Sequence, residues 1–156
     1  MLKGLFGASR QARRDDAELG KGVWRRAHDR YRRGLDRFHQ MLEGVEGDQA
    51  EGQGENYAAL VPIANSLAGL LAQVRAIAVQ AQAAAPSEGM EIPTGTGGYL
   101  NDVHRELSRA GNALAAAAEA VALVRLGVGN VAGVERKAEI VEDHVIRAAE
   151  LLDGRP

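Results

Sequence analysis

The sequence contains no cysteine and few aromatic residues, and both absences narrow what the chain can be. Without cysteine it can form neither a disulfide bond nor a cysteine-ligated zinc site. Because aromatic residues make up only 4% of the 156 residues, alanine, leucine and valine must supply most of the core. No segment alternates apolar and polar residues between turn signals, as a half-buried β-strand would. The absence of such segments favours an all-α protein. The length of the chain is sufficient for one domain with a buried core.

The patterns that mark common catalytic, nucleotide and metal sites are also missing. A P-loop places a lysine and then a serine or threonine after its second glycine, but Gly98 and Tyr99 occupy those positions in the segment GMEIPTGTGGYL. The Glu-x-x-His pairs of di-iron helical bundles do not occur, and no serine, histidine and carboxylate form a recognisable catalytic pattern. We therefore expect no catalytic residue, no cofactor and no metal site, and we predict that the protein is not an enzyme.

Apolar residues spaced three and four apart are the most abundant signal in the sequence. This spacing places them on one face of a helix, and it predicts helices at about residues 9–45, 57–85, 98–126 and 131–153. Together the four segments predict a four-helix up-down-up-down bundle with a long first helix and coiled-coil-like heptad packing. We expect residues 1–8 to be a flexible N-terminal segment and residues 9–154 to form a single domain.

Three features qualify this helix prediction. Gly20 and Gly22 weaken the first helix, and Pro62 requires the second helix either to begin near it or to bend there. The glycine- and threonine-rich segment before the third helix is predicted to be a long, mobile connector. Its dozen or so residues can join adjacent helices or cross the diagonal of a bundle, so the order of the helices around the bundle stays open.

Charge is distributed unevenly along the chain. Residues 1–40 contain 11 Lys/Arg and 5 Asp/Glu, a net charge of +6, whereas the remaining residues contain 8 and 16, a net charge of −8. Arginine clusters of this kind bind phosphate groups and other anions. Candidate contacts with an anionic surface are Arg13, Arg14, Arg25, Arg26, Arg32 and Arg33. Asp29 and Asp36 predict intrahelical ion pairs, Asp29 with Arg25 and Arg33 and Asp36 with Arg32, which dilute the positive field, so we do not expect nucleic acid as a partner.

The predicted second helix carries a single charged residue, Arg75, between positions 57 and 85. Beside its core stripe it has a second apolar stripe, formed by Ile63, Leu70 and Ile77. Either this helix is deeply buried in the bundle or another chain covers it, so the stripe is a candidate interface for a homodimer or a protein partner. Polar residues within the helix, such as Asn65 and Gln73, argue against a transmembrane span.

These observations predict function in outline. The leading hypothesis is a non-enzymatic assembly or protein-interaction module in the cytoplasm of a bacterium, a source suggested by the preference for alanine, glycine and arginine. The alternative is a module that binds an anionic membrane, nucleic acid or acidic protein through the arginine-rich first helix, with residues 1–14 as an amphipathic foot on a membrane. A ligand site inside the bundle is a third hypothesis, and it would have to use His28, Tyr31 and Tyr57.

Overall fold

The computed structural model of the protein describes residues 2–93 and 98–154. Every regular element in these residues is an α-helix, which confirms the all-α prediction. The described part of the chain forms five helices, so the prediction of four is wrong. The helices are α1 (Leu2–Leu19), α2 (Val23–Glu46), α3 (Gln53–Ala84), α4 (Tyr99–Arg125) and α5 (Val131–Asp153).

The additional helix arises because the predicted first helix is broken at the two glycines that weaken it. Gly20 has a φ of +69°, a left-handed conformation that residues with a Cβ rarely adopt. At Gly22 a Cβ would lie 2.4 Å from the backbone of Ser87, so only glycine allows this close approach. The segment before the break, α1, begins at Leu2, so residues 2–8 are part of this helix, and their predicted flexibility stays a prediction.

The core is built from the predicted apolar stripes. On α2, Trp24, Tyr31 and Phe38 follow one another at intervals of seven residues and are fully buried. Alanines such as Ala78 and Ala117 are also fully buried, which allows helix axes to approach toward the short end of the usual range of about 8–10 Å. Each large apolar side chain buried in this way stabilises the fold by about 1.5–3 kcal/mol, so the stripes hold the helices together.

Helix α3 extends further than its proline suggests. It begins at Gln53, and Pro62 lies inside it without ending it. The Gln53 side chain is buried and donates a hydrogen bond to the Arg125 carbonyl at the end of α4, 3.1 Å away. Helix α5 coincides with the predicted range 131–153, and the Asn130 side chain caps it by accepting a hydrogen bond from the Gly133 N–H at 2.8 Å. This contact is an N-cap of the ordinary kind.

Helices α2 to α5 lie at the four corners of a square. Helix α2 packs against α3 and α4, and α5 also packs against α3 and α4. Across the diagonals, the backbones of α3 and α4 approach each other at a few positions, whereas the backbones of α2 and α5 do not. Helix α1 lies outside the square, against α3 and α2. Helices α2 and α4 run in the same direction, since successive positions on α2 face successive positions on α4. The facing pairs are Trp24 with His104, Gly34 with Leu114 and Gly44 with Arg125.

The connector between α3 and α4 therefore crosses the diagonal of the square, and its first part is held in place. The buried Ser87 hydroxyl accepts a hydrogen bond from the Val23 N–H at 3.1 Å and donates one to the Glu91 carbonyl at 2.8 Å. The Trp24 indole N–H donates to the Ala85 carbonyl at 3.0 Å. Ser87 thus caps α2 from a distant part of the chain, a role that Gly22 cannot fill. The predicted mobility of the connector does not apply to this part, and Thr94 to Gly97 lie outside the described residues.

Replacing the capping hydroxyl should destabilise the protein. In Ser87→Ala the buried Val23 N–H loses its acceptor, which costs about 1–3 kcal/mol of unfolding free energy. Ser66→Ala is a matched control, because Ser66 is exposed on α3 and its change should stay within about 0.5 kcal/mol. Equilibrium urea denaturation measures both. Equal stability of the two variants would show that Ser87 does not hold the junction.

Candidate functional site

Four exposed arginines form a row along α2, at intervals of four, three and four residues. We call them the arginine row: Arg26, Arg30, Arg33 and Arg37. Arg26 donates to the Gly89 carbonyl at 3.0 Å, and Arg30 donates to the Asn112 side chain. Arg33 and Arg37 have no hydrogen bond or ion pair with any described residue. Each guanidinium has five N–H donors, so the row retains unused capacity to bind anions.

The row borders a groove of about 350 Å³ between α2 and α4. Trp24 lies below it in edge-to-face contact with His104, with ring centroids 5.6 Å apart. Burial lowers the pKa of His104, which keeps that imidazole neutral near pH 7. Met90 stands exposed at the groove. The positive charge of this surface therefore comes from the arginines alone.

A second groove of about 300 Å³ lies between α3 and α5 and has the opposite charge. Its apolar surface comes from residues such as Ile63, Leu67, Leu70 and Ala138, and no cation lines it. We call it the acidic groove. Three glutamates line it at intervals of four and three residues: Glu135, Glu139 and Glu142. Because α2 and α5 do not touch, the arginine row and the acidic groove belong to opposite corners of the square.

The six arginines predicted to contact an anionic surface do not form one set. Arg13 and Arg14 are exposed on α1, and Arg26, Arg32 and Arg33 are exposed on α2. Arg25 is different, because it binds Asp16 at 2.9 Å and Asp29 at 3.0 Å and so joins α1 to α2. Of the predicted intrahelical ion pairs, the one between Arg25 and Asp29 is present. The structure shows no ion pair between Asp29 and Arg33 or between Asp36 and Arg32.

The apolar stripe predicted as an interface is mostly covered by the protein itself. Leu70 is 7% exposed and Ile77 is 4% exposed, and Ile63 is half-buried at the acidic groove. The packing of the chain's own helices, α5 among them, covers most of this stripe, which corresponds to the first of the two alternatives, a helix buried in the bundle. Between residues 57 and 84, the exposed positions of α3 are instead small or uncharged residues, for example Gly69, Ala72 and Gln73.

Arg75, the single charge on this part of α3, holds α1 in place. Its guanidinium lies 2.8 Å from Asp15 and 2.9 Å from Glu18. Burial alone would raise the pKa of Asp15, but a hydrogen bond from Gln11 and the charge of Arg75 outweigh it and lower the pKa. The carboxylate of this buried residue is therefore ionised near neutral pH. Sequence periodicity missed this contact because it treats α1 and α2 as one helix.

A buried carboxylate, Glu106, links α4 to α5 and was also missed. It is 4% exposed, and it lies 2.7 Å from His144 Nδ1 and 3.0 Å from Arg109, with Arg147 at 3.7 Å. A carboxylate only accepts hydrogen bonds, so His144 must donate from Nδ1. Burial would raise the pKa of Glu106, but His144 and Arg109 outweigh it and lower the pKa below its ordinary value of 4.5. Since its acceptors are occupied by the protein's own donors, Glu106 serves the contact between the helices.

The three inward polar residues predicted as a ligand site are also engaged within the chain or separated. His28 is buried with Nδ1 2.9 Å from Asp29, and the Tyr31 hydroxyl donates to the Leu67 carbonyl at 2.8 Å. Tyr57 is half-buried against the core. Throughout residues 7–93 and 98–154, every buried side-chain nitrogen or oxygen has a hydrogen-bond partner. Hence none of the described buried groups points unpaired into a cavity.

Comparison of the chain with protein-family models, with curated proteins and with solved structures found no match. The described residues contain no cluster of three or more histidine, aspartate or glutamate side chains that could hold a metal ion. Helix α3 is the one described helix long and apolar enough to cross a membrane, judged by length and composition alone. Core helices of soluble proteins share that property. The arginine row and the acidic groove are therefore the surfaces that can support a functional proposal.

Removing Arg75 should release α1. Arg75→Ala leaves Asp15 without its cation, and a loss of roughly 1 kcal/mol would make the released state about fivefold more populated. Trypsin cleavage after Lys21, which is exposed between Gly20 and Gly22, measures that population as the rate at which the fragment beginning at Gly22 appears. Arg105→Ala is the control, because Arg105 pairs only with Asp102 on its own helix. Equal cleavage rates in the two variants would contradict the role of Arg75.

Glu106 should make stability depend on pH. Because its pKa is lower in the folded protein than in the unfolded chain, its contribution is fully present above pH 4.5 and is lost as pH falls through the folded pKa. In Glu106→Gln an amide N–H₂ faces the donors of His144 and Arg109. We expect a loss of about 1–3 kcal/mol near neutral pH and a shallower decline of stability below pH 4.5.

Urea denaturation over a range of pH measures both effects. Glu119→Gln is the control, because Glu119 is exposed on the same helix and has no ion pair with any described residue. The lowered pKa of His104 adds an acid-induced loss of stability that begins near pH 6.5. This loss of stability should be the same in Glu106→Gln and Glu119→Gln, so it does not contribute to the difference between their pH profiles. Identical pH profiles for the two variants would show that Glu106 has no such role.

Proposed function

We propose that the protein is a non-enzymatic assembly or protein-interaction module that binds an acidic protein surface through the arginine row. In this proposal α2 to α5 act as an up-down-up-down four-helix scaffold, and α1 is an addition to it. The protein would act in the cytoplasm of a bacterium, as its composition suggests. The observation that carries the proposal is the pair of exposed arginines without partners, Arg33 and Arg37, in the middle and at the end of a regular row.

The arrangement of the other charges supports this proposal. Arg25, Arg75 and Arg109 are paired with carboxylates of the same chain. Other exposed arginines on α1 and α2, namely Arg10, Arg13, Arg14 and Arg32, have no ion pair with a described residue either, but they are not part of the regular row. Unpaired guanidinium groups side by side on one helix raise the local positive potential and attract anions. The groove beside the row is lined by apolar groups, by His104, whose lowered pKa keeps it neutral near pH 7, and by Asp29, which is paired with Arg25.

The same arginines also support the alternative, a module that binds an anionic membrane or nucleic acid. Arg13 and Arg14 are exposed on α1, and the sequence at the start of their helix includes the apolar residues Leu2, Leu5 and Phe6. An amphipathic helix with basic residues is typical of attachment to a membrane surface. Against nucleic acid, exposed aromatic residues that could stack on bases are absent from the described part of α1 and α2. The acidic protein surface remains the preferred target, because the arginine spacing suits carboxylates presented by another helix.

Binding to three anionic probes tests the proposal. The probes are a labelled poly-glutamate peptide, vesicles of an anionic phospholipid and duplex DNA, each at low and high salt. We expect the double variant Arg33→Ala/Arg37→Ala to bind poly-glutamate about five- to tenfold more weakly at low salt, because it loses two exposed charge contacts. High salt should abolish the difference.

The control removes two exposed cations from α5, Arg136→Ala/Lys137→Ala, and should bind as the unmodified protein does. Tighter binding to vesicles or DNA than to poly-glutamate would favour the alternative. Failure to bind any of the three probes would refute a role for the row in binding anions.

A further inference from the structure

We propose that the acidic partner is a second copy of this chain: the arginine row of one copy docks in the acidic groove of the next. This inference rests on the proposed function and specifies its partner. Both surfaces are present on the same molecule, and both are built on straight helical segments of similar length. The groove offers carboxylates with no cation lining it, and the row offers guanidinium groups with no carboxylate bound to them.

The spacing of the two surfaces is complementary. Along α5 the glutamates are separated by four and then three residues, and along α2 the last three arginines are separated by three and then four. Read in opposite directions, these intervals are equal, with charges about 6 Å and then 4.5 Å apart along each helix axis. An antiparallel contact therefore brings three pairs together. The pairs are Glu135 with Arg37, Glu139 with Arg33, and Glu142 with Arg30.

The groove also supplies apolar surface for the contact. The half-buried Ile63 and Ala138 lie beside the glutamates, and the exposed α3 residues bordering them are uncharged, such as Pro62 and Ser66. Long arginine side chains can lay their methylene groups on such surface while their guanidinium groups reach the carboxylates. Arg136 and Lys137 on α5 do not line the groove, and near the row Asp29 is already bound to Arg25.

The position of the two surfaces determines the kind of assembly. They lie on α2 and α5, whose axes are roughly 11–14 Å apart across the diagonal of the square. Two copies that make one contact leave one row and one groove free on opposite outer sides. A symmetric dimer, in which each copy contributes the same patch, cannot satisfy both. The contact is therefore of the head-to-tail type and extends into open chains.

Light scattering and sedimentation velocity test this assembly. At low salt the mean mass of the full chain should rise with concentration past that of a dimer without reaching a plateau, and high salt should return it to the monomer. Two charge-neutralising variants each remove one surface: Glu135→Gln/Glu139→Gln/Glu142→Gln and Arg30→Gln/Arg33→Gln/Arg37→Gln. Each variant alone should self-associate at least about tenfold more weakly than the unmodified protein, because three charge pairs are lost.

Mixing the two variants provides the decisive measurement. One retains only the row and the other only the groove, so an equimolar mixture should form a one-to-one heterodimer that grows no further. Formation of this heterodimer also shows that both variants are folded. The control Glu119→Gln/Glu150→Gln removes two exposed carboxylates outside the groove and should assemble as the unmodified protein does.

Three results would overturn the inference: a monomer at all concentrations in low salt, a closed dimer that does not grow, or a variant mixture that forms no heterodimer. The poly-glutamate measurement separates this failure from failure of the proposed function. Binding of poly-glutamate without self-association would leave the interaction module standing with a different partner. Loss of both would refute the module as well.

Discussion

The hydrogen bonds between the first turn of α2 and the segment that follows α3 are the constraint on which the arrangement of the helices depends. The Ser87 hydroxyl accepts a hydrogen bond from the Val23 N–H, and the Trp24 indole N–H donates one to the Ala85 carbonyl. All of these groups are buried. Buried polar groups must find partners within the chain. These hydrogen bonds therefore hold the first part of the connector against the N-terminal end of α2. The connector reaches α4 at the corner opposite α3, which places α4 beside α2 and α5 beside α3.

Polar contacts outside the core complete this arrangement. Arg75 attaches α1 to α3 through Asp15 and Glu18, and Glu106 joins α4 to α5 through His144. Each of these charges is partly or fully removed from water, and each has an opposite charge or a donor to compensate for its desolvation. Charges that the helix contacts do not use remain on the outside, and they include Arg33 and Arg37 of the arginine row and the glutamates of the acidic groove.

Sequence periodicity predicted which faces of the helices are buried but not the order of the helices around the bundle. It identified the stripe of Trp24, Tyr31 and Phe38, and the glycines at which α1 separates from α2 were visible as weak positions. The acidic groove could not be predicted, because it exists only where α3 and α5 meet. Glu106 was missed because Leu107 marks the inward face, and the packing of α5 widens that face by one residue. The only signal of a role for Glu106 in the sequence was Arg109, which lies three residues further along the helix and can pair with it.

The diagonal connection explains why charges of opposite sign remain apart within one chain. If each helix were connected to an adjacent corner, the order around the square would place α5 next to α2, and their arginines and glutamates could pair within the molecule. Because the connector crosses the diagonal, α2 and α5 lie apart, and the arginines of one and the glutamates of the other remain unpaired on the surface of the fold. The net charge of −2 adds little general repulsion between copies. The molecule is nearly neutral overall but carries opposite charges on opposite corners. It can therefore attract its own copies through α2 of one copy and α5 of the next, and this local attraction outweighs the net repulsion.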